Sequence, residues 1–238
     1  MEPLHIITPV KDSLELTVQT IKSILGSETN FPFKYTVYND FSTQENTARL
    51  SSLSKELGFE LVNLQEITST PSPNYRLTLR LAQKKALEEG SSLLIVESDV
   101  VVRPDTIRKL YDGSKEKPDC AIAASVTVDG NGEINYPYLF AKKIRKDVVP
   151  VRNHCSFCCS ILTNRFLKEY DFNRLDPSKN WYDVSISQTA LKMGYRNYLF
   201  LSLPVWHRPH ASRPWKQLKY SSPLKYYWYK IVKGLDKI

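Results

Sequence analysis

The chain of 238 residues has no uninterrupted apolar run of about 18 residues, so no segment is expected to cross a membrane as a helix. Its opening stretch, MEPLHIITPVKD, lacks a basic region followed by a long apolar core, and no signal peptide is read there. Cysteine is scarce. Cys120, Cys155, Cys158 and Cys159 are the four, and three of them are clustered. Such a set does not describe a secreted disulfide framework, and a reducing, cytoplasmic compartment is the expectation. Glycine-rich phosphate loops are missing as well. Neither GxGxxG nor GxxxxGK[ST] occurs, which argues against a Rossmann dinucleotide site and a P-loop. A nucleotide bound here has to be held by carboxylates and a metal. No internal repeat or low-complexity segment is visible.

Charge is unevenly placed. The net charge is +8, and residues 201–238 hold eight basic residues against the single acid Asp236. Seven of the eight net positive charges therefore belong to this tail, and the body is almost neutral.

The stretch around which the chain is organised is LLIVESDVVV, residues 93–102. Its apolar start suits a strand buried on both faces of a parallel sheet. Two carboxylates do not suit that burial, since an unpaired buried carboxylate costs several kcal/mol. The strand is therefore expected to end near Val96, with Glu97, Ser98 and Asp99 emerging at its carboxyl end, where open α/β sheets bind ligands. Glu97 and Asp99 point the same way on an extended backbone. Paired hard oxygens suit Mg²⁺ or Mn²⁺ carrying a phosphate. The plainer alternative is a strand-end turn with solvated acids.

Further strands are expected at residues 5–10, 34–38, 59–64, 121–128 and 198–203. Helices are expected from Asp12 or Ser13 as cap through Leu25, at 44–57, at 75–89, from Pro104 and Asp105 to about 111, from Asn164, and after Trp181. Gly130-Asn131-Gly132 is a turn leading into 133–140, and 142–149 reads as a charged surface loop. Strands alternating with amphipathic helices indicate βαβ units and a doubly wound, mostly parallel sheet. Three early strands end in polar clusters, Thr8-Pro9, Asn39-Asp40 and Glu97-Ser98-Asp99, and right-handed crossovers put these ends on one edge.

In order and spacing, IITPVKD, VYNDFS, IVESDV, WYDVSIS and a late histidine resemble the motifs of the family 2 glycosyltransferases with the GT-A fold, over about residues 4–210. That family usually has VDDGS at the second motif, a D-x-D-like strand end at the third and E-D-V-D-L at the fourth. Here Asn39 replaces the first Asp of the second motif, Phe41 its Gly, Glu97 the first Asp of the metal motif, and Ser185 the second acid of the fourth. The resemblance implies an α/β, GT-A fold with a nucleotide-sugar half (1–103) and an acceptor and catalytic half (104–210). It implies that Thr8, Pro9, Asn39 and Asp40 line the donor-base pocket, with Glu97 and Ser98 by the ribose or sugar. It also implies Asp99 as principal metal ligand and Asp183 as general base. Arg76 or Arg80 would approach the nucleotide, Arg80 being the choice. His207 is preferred as the further ligand of a Mn²⁺ or Mg²⁺ ion, with His210 as the alternative.

Structural readings stand beside these. Asp40 serves equally as a helix cap or turn residue. Asp183 suits an N-cap that favours the helix dipole. A histidine in the Pro-rich stretch VWHRPH suits a surface loop. HCSFCCSIL, 154–162, has too few partners for a structural zinc site, which needs four ligands, and reads as a buried strand with cysteine as a small apolar residue.

The activity that the resemblance implies is inverting transfer from a UDP- or GDP-linked sugar to a saccharide or lipid-linked saccharide acceptor. A nucleotidyltransferase and a non-catalytic basic binding module are the alternatives; the first wants a Gly/Arg-rich loop after strand one, and the second leaves the strand-end acids unused. In the tail (211–238), Pro223 starts a helix with Leu224, Tyr227, Trp228, Ile231, Val232, Leu235 and Ile238 on one face. Lys225, Lys230, Lys233 and Lys237, with Tyr226, Tyr229 and Asp236, fall on the other. This pattern suits a helix lying on an anionic membrane. The competing use of the apolar face is packing on the body or on a second copy as a homodimer. Nucleic acid is not an expected partner.

Overall fold

Apolar side chains alternate between two cores along the central strands, and that alternation builds three layers. The computed structural model describes residues 2–208, 218 and 222–232. In β1 (Leu4–Val10) Ile6 enters one core and Ile7 the other. In β4 (Ser92–Val96) Leu93 and Ile95 face one way, Leu94 and Val96 the other. Successive residues of a strand point to opposite faces, so this sheet needs helices on both. Leu79, Ala82 and Ala86 of α3 (Tyr75–Glu88), Phe166 of α5 (Asn164–Glu169) and Ile186 and Ala190 of α6 (Tyr182–Lys192) cover one face. Ile21 and Ile24 of α1 (Leu14–Leu25), Leu50 and Leu53 of α2 (Gln44–Leu57) and Ile107 and Leu110 of α4 (Thr106–Lys115) cover the other. Each fully buried aliphatic side chain contributes about 1.5–3 kcal/mol.

The sheet runs β3 (Glu60–Asn63), β2 (Phe33–Asn39), β1, β4, β8 (Cys159–Leu162), β6 (Cys120–Val128), β9 (Arg196–His207), β5 (Val100–Val101), with β7 (Val148–Val151) also on β9. The first four are parallel to one another, as are β6 and β9. β8 runs antiparallel to β4 and β6. The carboxyl ends of β1, β2 and β4 lie on one edge, as their sequence implies.

Several expectations need correction. Residues 155–158 are buried but only 159–162 form strand, and the segment expected as a surface loop at 142–149 ends in β7. After the 130–132 turn only Ile134 makes a β-bridge, to Val128, and Leu139–Lys143 is a short 3-10 helix. The last strand extends to His207, which lies in the sheet and is buried rather than in a surface loop. Ser13 sits at the start of α1, yet its side chain makes no capping bond. The Asp12 carboxylate instead receives Thr43 N–H at 2.8 Å and Asn46 Nδ2 at 3.1 Å, and so caps α2.

In α7 (Pro223–Val232) Leu224 is 86 % and Ile231 79 % exposed, with Tyr227 and Trp228 also outward. Tyr226, expected on the polar side, is 4 % exposed and forms the packed face. Leu235 and Ile238 lie outside the described residues, as does His210. No described helix is long and apolar enough to cross a membrane.

Gly113 marks where α4 meets β9 most closely: a Cβ built there lies 2.5 Å from Phe200 Cε1 and 2.9 Å from its Cζ. Phe200 is buried and cannot swing aside freely. Gly113→Ala is therefore expected to lower stability by about 1–3 kcal/mol through overpacking, despite alanine's better helix propensity. Urea denaturation checks this; an unchanged or higher midpoint contradicts the close packing.

Candidate functional site

Backbone pairing brings three strand ends to one point. β4 stops at Val96, which pairs with Cys159, and the Glu97 N–H donates to the Cys158 carbonyl at 3.0 Å. The chain turns, with Val100 N–H on the Glu97 carbonyl at 3.1 Å. Val100 then pairs with His207, and Arg208 N–H donates to the Asp99 carbonyl at 3.0 Å. The strand-end acids, the residue before β8 and the last residue of β9 are thus fixed relative to one another by ladder bonds rather than by side chains.

His207 Nε2 lies 3.7 Å from Asp99 Oδ2. Its Nδ1 is 3.0 Å from the Tyr136 carbonyl, which can only accept, so Nδ1 carries a hydrogen and Nε2 turns toward the acids. Cys158 Sγ donates to Glu97 Oε2 at 3.3 Å and sits 4.0 Å from His207 Nε2. One ligand atom each from Glu97, Cys158 and His207 fall within 4.8 Å of one another. Asp99 and His207 are buried and Glu97 is half-buried. Burial pushes the Cys158 thiol well above the usual cysteine range, and the negative charges of Glu97 and Asp99 push it further. Carboxylate oxygens and an imidazole nitrogen converging in a shielded place fit a divalent cation. Cys158 is the member that reading the cysteine run as apolar strand missed; only its register opposite Glu97 reveals it.

Beside this cluster opens a cleft of about 650 Å³. Of the expected donor-site residues, Pro9, Asp40, Glu97, Ser98 and Asp99 line it. Thr8 and Asn39 do not. Thr8 is buried within the sheet and accepts from Tyr35 OH at 2.9 Å. Asn39 is buried too, donating to Thr47 Oγ1 at 2.9 Å and Asn63 Oδ1 at 3.0 Å, which ties the ends of β2 and β3 to α2. Arg80 also lies outside this cleft. It donates to Asn173 Oδ1 at 2.6 Å and lines a separate hollow of about 440 Å³ with Arg76 and Lys179.

The Asp40 carboxylate is already engaged. It accepts from Ser72 Oγ at 2.7 Å, Asn74 N–H at 2.8 Å and Asn74 Nδ2 at 2.8 Å, and so pins the Pro-rich loop along the cleft wall. Asp12, Ser13 and Phe41 take left-handed backbone conformations with φ of 55°, 51° and 58°. For residues other than glycine this costs about 1–3 kcal/mol each, and such strain gathers at functional sites. Phe41 stands where the resembled motif has glycine, and its φ accounts for glycine at that position.

Asp183 sits in the first turn of α6, its Oδ1 accepting the Val184 N–H at 2.9 Å. Tyr75, at the start of α3, lines the same cleft as Glu97 and Asp99. Burial raises the Tyr75 pKa well above the ordinary range, and the charges of Glu97 and Asp183 raise it further. The Tyr75 hydroxyl is buried and has no hydrogen-bond partner among the described residues. Tyr75 lines both the cleft and the basic hollow. Helical periodicity explains the division along α3: Tyr75 and Thr78 face the cleft, whereas Arg76 and Arg80, one turn apart, face Asn173 and Leu175.

No protein family matches the sequence, and no curated protein matches it. The fold does match solved structures. Residues 1–349 of S. aureus TarS align with a TM-score of 0.62 at 18 % identity, over 87 % of this chain and 60 % of that one. The mannosyltransferase PcManGT from Pyrobaculum calidifontis, solved with GDP-Man and Mn²⁺, aligns at 0.60 and 14 % identity, over 98 % and 65 %. GalNAc-T7, solved with UDP, GalNAc and Mn²⁺, aligns at 0.66 and 11 %, over 89 % and 45 %. The chain spans less than two thirds of the length of each of these proteins. What is shared at such identities is the fold, the GT-A arrangement.

Tyr75→Phe removes a buried hydroxyl that no described residue engages, so the ligand-free protein is expected to keep its stability or gain about 1 kcal/mol. Thermal unfolding checks this. A clear loss of stability would mean that the hydroxyl is needed by the fold itself.

Proposed function

We propose that this chain is a metal-dependent glycosyltransferase of the family 2 type, moving a sugar from a nucleotide-diphosphate sugar to an acceptor hydroxyl with inversion, in polysaccharide or glycolipid synthesis. The observation that carries this reading is the meeting of Glu97, Asp99 and His207 at the edge of a cleft whose far side is Pro9 and Asp40. The folds of proteins solved with UDP-GlcNAc, GDP-Man and UDP support a UDP- or GDP-linked donor. Residues 1–103 would hold that donor and 104–210 the acceptor.

Asp99 and His207 hold the cation, with Glu97 beside them. Mn²⁺ in two of the similar structures supports that ion, and Mg²⁺ has the same charge and donor preference for the carboxylates. A bound ion supplies positive charge against the diphosphate as it leaves. The chain's own residues do the rest. Pro9 and the loop pinned by Asp40 frame the base, and Glu97 and Ser98 face the ribose or sugar. Thr8 and Asn39 act from behind, holding the strand ends that carry these groups. The Tyr75 hydroxyl donates to the sugar or acceptor between Glu97 and Asp183. Asp183 takes the acceptor's proton, held at a helix N-terminus that favours its charged form. The acceptor enters by the hollow of Arg76, Arg80 and Lys179, whose basic lining suits an acceptor carrying phosphate, as a lipid-linked saccharide does.

Activity against a panel of nucleotide sugars with Mn²⁺ tests the reading, with two variants to locate it. Asp99→Asn is expected to lose metal-dependent donor binding by calorimetry while its unfolding stays cooperative. Asp183→Asn is expected to bind donor yet transfer about 10²-fold or more slowly. Unchanged donor affinity in the first, or near wild-type transfer in the second, contradicts the assigned role.

The same reading puts this activity on the cytoplasmic face of a membrane, with α7 and its neighbouring lysines as the attachment. The outward Leu224, Tyr227, Trp228 and Ile231 favour that use over packing on the body. Co-sedimentation with anionic vesicles is expected for the full chain, and is expected to be lost at high salt and in a chain ending at Ser222. Equal partitioning of both chains, or a second copy covering α7 in solution, contradicts it.

A further inference from the structure

We infer, on the metal reading above, that Cys158 is itself a ligand of this centre, which therefore takes up thiophilic divalent cations such as Zn²⁺ through a thiolate beside its carboxylates and imidazole. Cys158 Sγ is 3.3 Å from Glu97 Oε2 and 4.0 Å from His207 Nε2, and His207 Nε2 is 3.7 Å from Asp99 Oδ2. Donors placed tetrahedrally about 2.0–2.3 Å from a zinc ion lie about 3.4–3.6 Å from each other. Two of these separations lie close to that edge and the third about half an ångström beyond it, and the Glu97, Cys158 and His207 donor atoms all lie within 4.8 Å of one another, so side chains must draw in to close on one ion.

The sulfur's position is built, not incidental. Its backbone carbonyl receives the Glu97 N–H, and the next residue pairs with Val96. Ser156 Oγ is 3.2 Å from Sγ, and Ser156 is held in turn by its N–H on Tyr138 Oη at 2.9 Å. Cys155 turns instead to the Tyr198 carbonyl, 3.7 Å away, so of the neighbouring thiols Cys158 alone sits among the acids. On binding, the sulfur–metal bond forms as the thiol proton leaves to solvent, and the ion's double charge offsets the thiolate. Hard ions draw little from sulfur, whereas softer ones do, so a site with this donor set favours Zn²⁺ or Co²⁺ over Mg²⁺ and Mn²⁺.

Cobalt is the probe, because its spectrum reports sulfur directly. The full chain titrated with Co²⁺ is expected to show visible ligand-field bands together with a sulfur-to-cobalt charge-transfer band in the near ultraviolet. Cys158→Ser is expected to keep the former and lose the latter, and to bind Zn²⁺ about tenfold or more weakly while Mn²⁺ affinity changes less. Cys158→Ala repeats the spectral test should the serine variant fold poorly, and the wild-type spectrum decides without either. Ligand-field bands lacking charge transfer in the wild type, or unchanged Zn²⁺ affinity in the variants, overturn the assignment and leave an oxygen and nitrogen site standing. No cobalt bands at all overturn it together with the metal reading.

Discussion

Two short backbone ladders hold the site together, one pairing Val96 with Cys159 and the other pairing Val100 with His207. Neither is a large structure, and β5 is only two residues long. Yet without the second, His207 would have no fixed relation to Asp99, though they stand more than a hundred positions apart in sequence. Backbone hydrogen bonds set these relations, and side-chain contacts among Ser156, Cys158, Glu97, Asp99 and His207 add to them. The imidazole needs only the Tyr136 carbonyl to fix its ring. The layers on either side of the sheet then act as a rigid frame, with aliphatic side chains divided between two cores by the simple alternation of the strands.

That frame concentrates negative charge. Glu97 and Asp99 stand with Cys158 at the edge of the cleft, which Tyr75 also lines, and Asp183 sits in the first turn of α6. Carboxylates, a thiol and an imidazole gathered at one place are the donor types that a divalent cation takes. The left-handed conformations at Asp12 and Ser13, which line the cleft, and at Phe41, next to Asp40, add backbone strain there. That cost falls at the cleft, while the sheet and helices behind it follow local propensity closely.

Much of this was legible in the chain before the fold was known. The α2 limits, the ends of β1, β2 and β4, and the end of the buried strand before Glu97 follow from apolar periodicity and from the cost of burying carboxylates, although Asp99 itself stays buried. The rest depended on contacts that sequence does not carry. β5 and β7 are too short or too mixed to show a period. Cys158 looks like a small apolar residue until its register opposite Glu97 is known. The resemblance implies Arg76 or Arg80 by the nucleotide, but helical rotation turns Arg80 toward Asn173, and the side of α3 that faces the cleft presents Tyr75 instead. Thr8 and Asn39 belong to the right strand ends, but one strand position decides whether a side chain meets the cleft or the interior.

The central claim is that the strand-end acids and His207 form a cation-dependent nucleotide-sugar site. The most direct measurement is the thermal unfolding of the full chain with UDP or GDP, in the presence of Mn²⁺ and after its removal by a chelator. A ligand specific for the native state raises the unfolding temperature by mass action. The account predicts a rise with one of the two nucleotides that requires Mn²⁺. A rise indifferent to the chelator, or none with either nucleotide at saturating Mn²⁺, would contradict it.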